Sequence, residues 1–280
     1  MTGASRRQRI QALLFAAIMV VSMVAAGIGG GLAGSAVAQP NATLVVDDDF
    51  DNPDESTNFS SIQDAVDVAA ENGSIATIEV HEGTYEESVR IDTKGLTLQG
   101  ADDASSTIIG QSSIAVTSTA PNVEIADLRI ENPDGSRAVR VTGDATGVVI
   151  QNNTVTNVNT NNSADQPRGI VVGVLDDGDS ADGLEIRNNT VTNVEGADAD
   201  REQAQAIQIL EQSKGGGLIE NVIVDGNTVE NILDTRSTVG IDFNGNIEGT
   251  ITDNDISGLN TEGNPGNVTF GYTDADGFAN

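Results

Sequence analysis

One twelve-residue phrase returns four times in the second half of the chain, and it constrains the fold more than anything else in the sequence. Gly147-Val-Val-Ile-Gln-Asn-Asn-Thr-Val-Thr-Asn-Val158 recurs as Gly183-Leu-Glu-Ile-Arg-Asn-Asn-Thr-Val-Thr-Asn-Val194 and as Asn221-Val-Ile-Val-Asp-Gly-Asn-Thr-Val-Glu-Asn-Ile232. A worn fourth copy, Glu248-Gly-Thr-Ile-Thr-Asp-Asn-Asp-Ile-Ser-Gly-Leu259, keeps the frame. Asn153, Asn189, Asn227 and Asn254 hold one equivalent position, spaced by 36, 38 and 27 residues. Ile150, Ile186, Val224 and Ile251 hold a second, and Val155, Val191, Val229 and Ile256 a third. Looser copies lie upstream, at Asn122-Val-Glu-Ile125 with Ile130-Glu-Asn132 and at Gly95-Leu-Thr-Leu-Gln99.

Further alternating runs sit between the copies, at 138–141, 169–172, 206–210 and 240–243. Each repeat thus holds about three strands of two to five residues joined by Gly, Asn and Asp turns. Antiparallel hairpins do not return the same apolar position once per repeat. A coil that advances one layer per repeat does, stacking like on like. The fold class this predicts is all-β, a right-handed parallel β-helix of about seven coils. The repeated asparagines read as an internal ladder, because Asn tolerates the left-handed backbone of a tight corner and a buried amide bonds its neighbours.

The first layer of such a solenoid exposes backbone and apolar side chains. Ser61-Ile-Gln-Asp64 is a capping box, and Ile62, Ala65, Val66, Ala69 and Ala70 follow at helical spacing. An amphipathic capping helix is therefore expected over about 61–72, ended by Gly73, with Ile78–Val80 and Val89–Ile91 as the first rung and Tyr85 beneath the helix. The last rung, 268–271, has no evident cap, which points to further chain or a neighbour beyond it.

Composition removes several function classes. There is no Cys, which excludes disulfides and thiolate chemistry, and one histidine, His81, which makes a Ser-His-Asp triad improbable and reads as a rim or packing residue. With 43 acidic against 13 basic residues the formal net charge is −30, which argues against nucleic acid and anionic membranes as partners. Residues 1–38 hold three of the arginines and no acid, so their loss would take the charge to −33.

That first segment reads as a secretory signal. Arg6, Arg7 and Arg9 precede an apolar run from Leu13 to Ile28, and Ala36-Val37-Ala38 forms a cleavage site. Cleavage after Ala38 would leave 39–280 as one β-helix domain, secreted or at the cell surface, with no stable membrane span. An uncleaved anchor helix is the alternative, disfavoured by the shortness of the strictly apolar run. The stretch LFAAIMVVSMVAAG behind its arginines resembles the signal peptides of haloarchaeal surface glycoproteins. High salt fits the charge: at ~1 M the Debye length is about 3 Å, and crowded carboxylates are screened.

The motifs Ile62-Gln-x-Ala65-Val66, Gly83-Thr-Tyr-Glu-Glu87 and Leu96-Thr-Leu-Gln-Gly100, with the later NNTVTNV copies, resemble the pectin-lyase-like superfamily of secreted β-helix proteins. The resemblance covers nearly all of 43–280. It extends to pectinesterases, polysaccharide lyases and archaeal surface proteins of carbohydrate-binding and sugar-hydrolase type. It implies the fold and a polysaccharide or cell-envelope glycan as partner, but no one activity, since the scaffold hosts enzymes and non-enzymes. Pectinesterase chemistry implies two aspartates and an arginine on adjacent coils. Val239-Gly-Ile-Asp-Phe-Asn-Gly245 resembles the stretch around one of them and places Asp242 there, but the partner aspartate and the Arg-Pro-Trp stretch are missing.

A lyase would need Ca²⁺ held by carboxylates and an Arg or Lys base. Acidic clusters occur at Asp47, Asp48, Asp49 and Asp51, at Asp176, Asp177 and Asp179, and at Asp274 and Asp276. In a chain this acidic they are expected without metal. Loose Ca²⁺ binding at Asp47–Asp51 is the single cofactor expectation.

Loop placement says more. Inserts at 159–168, 195–204 and 233–238 fall at one corner of successive coils, and inserts at 173–182 and 211–220 at the next. They flank one strand column. Alternation puts Val139, Ile170, Ile207 and Ile241 inward with Val141, Val172, Ile209 and Phe243, so Arg140, Val171, Gln208 and Asp242 face outward between two loop walls. With Arg168 at the edge, Arg140, Gln208 and Asp242 are the candidate polysaccharide-binding residues, set against an ordinary solvated strand face. Scarce aromatics count against sugar stacking. Two readings follow: a non-catalytic protein for glycan contact, adhesion or envelope structure, or a lyase-like enzyme using Asp242, Arg140 and Gln208. The missing acid–base constellation favours the first.

Seven Asn-x-Ser/Thr sequons occur, at Asn41, Asn58, Asn72, Asn152, Asn161, Asn188 and Asn267. Asn161, in a loop, with Asn41 and Asn58, are the expected glycan acceptors. Asn152 and Asn188 lie beside the ladder, where partial shielding is expected.

Overall fold

The computed structural model describes residues 42–273 apart from short segments at 51–55, 102–104, 161–165, 175, 177, 197–202, 212–216, 235–236 and 262–267. The leader, Asn41, Asp51, Asn161, Asn267 and the last seven residues lie outside the described part. Among the described residues no helix is long and apolar enough to cross a membrane.

Every strand pairing is parallel, and the strands form three sheets that the chain visits in rotation. The first sheet stacks Ala42–Val46, Ile75–Val80, Thr97–Gly100, Glu124–Ala126, Val149–Gln151, Glu185–Arg187, Ile219–Asp225 and Ile247–Thr252, with Asn58–Phe59 at its edge. The second stacks Gly83–Tyr85, Ser106–Ile109, Arg129–Asn132, Thr154–Asn159, Thr190–Glu195, Thr228–Asp234 and Asp255–Ile256, with Leu259–Thr261 also on Thr228–Asp234. The third stacks Val89–Ile91, Ile114–Ser118, Arg137–Thr142, Arg168–Val174, Ala204–Glu211, Thr238–Asn244 and Val268–Thr273. Seven coils of a parallel β-helix result.

The repeat is realised as vertical register. Ile150 pairs with Ile186, Ile186 with Val224 and Val224 with Ile251; on the second sheet Val155 pairs with Val191, Val191 with Val229 and Val229 with Ile256. Most of these aliphatics are fully buried, each contributing ~1.5–3 kcal/mol. Third-sheet strands reach eight residues, longer than the repeat suggests.

The asparagine ladder forms as expected. The Asn153 amide nitrogen donates to Asn189 Oδ1 at 3.1 Å, Asn189 to Asn227 Oδ1 at 3.0 Å, and Asn227 to Asn254 Oδ1 at 2.9 Å. Each rung's backbone N–H donates to the same acceptor, and each amide nitrogen also reaches a carbonyl of the preceding coil, Ile125, Ile150, Ile186 or Val224.

The left-handed backbone belongs to other residues. The position before each rung, Asn152, Asn188, Gly226 or Asp253, has φ of 55°, 52°, 65° or 52°. A second column with positive φ enters the first sheet at Gly95, Asn122, Gly147, Gly183 and Asn221, and a third interrupts the second sheet at Asn157, Asn193, Asn231 and Gly258. Repeated Asn thus does two separate jobs, corner backbone and buried ladder.

The N-terminal end is capped differently from expectation in detail. The helix α1 runs Ile62–Glu71, and Ser61 at its N-cap accepts from the Asp64 N–H. It buries Ile62, Ala65, Val66, Val68 and Ala69. Glu87 adds a cap that local sequence does not reveal: its carboxylate accepts from the Ile62 and Gln63 N–H groups at 2.8 and 2.9 Å and from the Ser61 hydroxyl. Negative charge at a helix N-terminus is favourable there. The helix ends at an extended Asn72, whose N–H reaches Val68 and Ala69 carbonyls, so Gly73 is not the left-handed stop expected of it. Strand Ala42–Val46 lies one layer above the expected first rung, and the Tyr85 hydroxyl donates to the Val46 and His81 carbonyls. Burial, then the nearby Asp48 charge, pushes the Tyr85 pKa well up.

Candidate functional site

The outward face of the third sheet carries the candidate site, and strand register builds it. Arg140 lies beside Val171, Val171 beside Gln208 and Gln208 beside Asp242, the row that alternation predicts. Val139, Ile170, Ile207 and Ile241 are fully buried behind it. The floor is not a solvated strand face: Val171 and Gln208 are 3% exposed and Asp242 8%. Arg140 is half-buried, and its side chain makes no ion pair or hydrogen bond among the described residues.

Strict alternation fails one step earlier on each strand. Ala138, Gly169, Ala206 and Gly240 are small and buried, and a Cβ on Gly169 would sit 2.5 Å from Val191 Cγ1 and 2.7 Å from the Ala206 carbonyl oxygen. Two consecutive positions therefore turn inward, which leaves Arg137, Arg168 and Gln205 as a second outward row in register. That is why Gln205 and Gln208, three apart, both donate to Asp242 Oδ2, at 2.9 and 2.7 Å. A period of two puts them on opposite faces, so sequence reasoning missed Gln205 and Arg137. The run of small residues at 138, 169, 206 and 240 was the signal available.

A hydrogen-bonded chain crosses the coils. Arg168 Nε donates to Gln205 Oε1 at 2.8 Å, another Arg168 nitrogen donates to Gln166 Oε1, and Gln205 passes on to Asp242. A carboxylate only accepts, so both glutamines must turn their NH₂ groups to it. Their carbonyl oxygens then face away: Gln205 Oε1 meets Arg168, while Gln208 Oε1 is buried without a partner among the described residues. Above the buried Gln205, Arg137, Arg140 and Arg168 with Gln166, Gln208 and Asp242 line a groove of about 420 Å³, in the size range of small-ligand sites. Asp242 is the one carboxylate among the described lining residues, against Arg137, Arg140 and Arg168. Parts of all five inserts expected to form the loop walls, at 161–165, 175, 177, 197–202, 212–216 and 235–236, lie outside the described residues.

The other candidate positions lie at the N-terminal end. One oxygen each of Asp47, Asp48 and Asp49 lie within 4.8 Å of one another, Asp48 and Asp49 exposed. Asp48 is engaged by the Thr84 N–H at 3.0 Å and Asp47 closes a turn onto the Asp49 N–H. His81 sits between Asp47 and Glu79 at 3.5 and 3.3 Å, a rim residue as expected. This cluster is several coils from the groove, so the structure does not bring the two candidate sets together. Among sequons, Asn58 is half-buried, whereas Asn152 and Asn188 are exposed, contrary to the expected shielding.

No protein-family model and no curated protein matches the chain. Solved structures similar to it include pectin methylesterase from carrot, at TM-score 0.39 and 14% identity over 85% of this chain and 89% of that one. Pectin methylesterase from Aspergillus niger gives 0.39 and 17% over 83% and 91%, and pectin methylesterase PemA from Erwinia chrysanthemi 0.41 and 13% over 82% and 94%. The β-helix assignment rests on this chain's own strand pairing.

Proposed function

We propose that this is an exported, salt-adapted β-helix protein whose third-sheet groove holds an extended polysaccharide bearing negative charge, and that it binds the chain without cleaving it. The observation that carries the reading is Arg140, a half-buried guanidinium with no partner among the described residues, beside a floor of Val171, Gln208 and Asp242. Elsewhere arginines are neutralised: Arg129 by Glu131 at 2.6 Å and Arg187 by Glu185 at 2.8 Å. Guanidinium groups suit carboxylate or sulfate substituents because they offer paired donors. Arg168 and Arg137 flank the path, and Asp242 holds the two glutamines in place.

Binding rather than cleavage is favoured by the acid count. Glycoside hydrolysis uses two carboxylates across the scissile bond, and a Ca²⁺-assisted elimination uses several to hold the ion. The described groove offers Asp242, already committed to two amides.

The test is an acidic and neutral glycan array in molar salt, run beside an ultraviolet assay for unsaturated uronides. Retention of acidic glycans, lost at least tenfold in Arg140→Ala with no uronide release, is the expected result. Release that vanishes in Asp242→Ala or Arg140→Ala would replace binding with catalysis. Equal retention by wild type and Arg140→Ala would remove the groove from the function.

A further inference from the structure

Four of the sequons fall on described residues, and their surroundings differ. Asn58 is half-buried in a strand paired with Val45 and has bonds of its own. Asn72 is half-buried at the end of α1, its Oδ1 accepting from the Ser74 N–H at 3.2 Å. Asn152 and Asn188 are exposed, and their amide nitrogens bond nothing among the described residues. Their backbones are fixed nonetheless, by N–H bonds to the Arg187 and Asp225 carbonyls at 3.1 and 2.9 Å. The left-handed backbone puts these side chains outside the corner between the first and second sheets, while Asn153 and Asn189 next to them are 1% exposed.

We propose that Asn152 and Asn188 are N-glycan acceptors, one above the other on the outer rim of that corner. This goes beyond the groove and rests only on the export part of the functional reading. In the transfer, Nδ2 bonds to the anomeric carbon of a lipid-phosphate-linked oligosaccharide. The bond from that carbon to the phosphate oxygen breaks, the phosphate leaves with the electron pair, and the amide proton passes to a base of the transferring enzyme. Thr154 and Thr190, the third residues of the two sequons, are tied into strands by N–H bonds to Leu128 and Asn153 carbonyls. The sequon is thus locked once the coil closes, and transfer precedes folding. The folded product accepts a sugar at Asn152 or Asn188 without disturbing the ladder, because neither side chain is used by it. Neighbouring strands are ~4.8 Å apart, so two glycans would crowd, and one occupied asparagine per molecule is the expected main product. The column stops there: the next rungs carry Gly226 and Asp253.

The experiment is peptide mapping by mass spectrometry of the full chain, secreted from an archaeal host that N-glycosylates its exported proteins. The N-terminal peptide reports removal of the leader independently of any sugar. Expected is a glycan shared between the Asn152 and Asn188 peptides, moving wholly to the remaining site in Asn152→Asp or Asn188→Asp and vanishing from both in the double variant. Asp already occupies this left-handed corner at 127 and 253, with φ of 56° and 52°, so the melting temperature should hold. Thr154→Val with Thr190→Val should remove the same glycan by a different route. A processed chain with both asparagines bare, or with sugar on Asn58 and Asn72 instead, overturns the proposal while leaving export intact. A chain that keeps residues 1–38 and carries no sugar overturns it together with the export reading.

Discussion

The corner between the first and second sheets and the outer face of the third sheet are built from the same coils, yet they obey opposite rules. At the corner every rung from 153 to 254 presents the same side chain, and each asparagine satisfies the one before it. On the third sheet the outward row reads Arg, Val, Gln, Asp, and its bonds run between unlike groups on different coils. Identical rungs make a structural column whose members are interchangeable and mutually dependent. Unlike rungs make a surface in which each residue has its own place. In a solenoid, repetition marks what holds the coils together, and departure from repetition marks where a ligand can be recognised.

The contrast can be broken most sharply in the ladder. Asn189→Ala leaves the Asn153 N–H without its acceptor in a dry interior, and takes one bond each from the Asn153 amide nitrogen, which keeps the Ile125 carbonyl, and from the Ile150 carbonyl. At ~1–3 kcal/mol for the buried N–H left unsatisfied and about 1 kcal/mol for each further bond lost, the loss should reach about 3 kcal/mol, read from the denaturant midpoint in molar salt. A change below about 1 kcal/mol would mean that the ladder is decoration.

Next in size is the cap. Glu87→Ala strips charge-assisted bonds from the start of α1 and should cost ~1–2 kcal/mol, with hydrogen exchange accelerating in 62–71 and little in the later coils. Uniform acceleration throughout would show that the end cap and the solenoid unfold as one unit.

Smaller still is Asp242→Asn. The amide can both donate and accept, so Gln205 and Gln208 are no longer forced to one orientation. About 1 kcal/mol or less of stability should be lost, while retention of acidic glycans falls several-fold. A loss as large as that of Asn189→Ala would place Asp242 among the structural groups instead.

Least of all, Arg140→Ala should leave the denaturant midpoint within ~0.5 kcal/mol, because the side chain bonds nothing among the described residues. Its effect is confined to ligand retention, and a marked destabilisation would erase the distinction between the two faces.

Much of this was legible in the residues, and the parts that were not share a cause. The vertical pairing of Ile150 with Ile186 and of Gln208 with Asp242 follows from spacing, because one repeat is one turn. Gln205 was hidden, because the small residues at 138, 169, 206 and 240 break the period of two. Glu87 was hidden because its partners at 61–63 lie about 25 residues away in sequence and meet it only after the first coil closes. The strand at 42–46 was hidden because it precedes the first recognisable repeat.

By itself, then, the sequence determined the winding of the chain. Equal residues at equal intervals can be buried together only if each turn lies over the last, and that demand is local and repeated. The tertiary structure alone decided which polar groups converge on Asp242, that Arg140 has no partner among the described residues and which corner asparagines point to solvent. Those outcomes depend on contacts between coils and on where alternation slips, and neither is written in any single repeat.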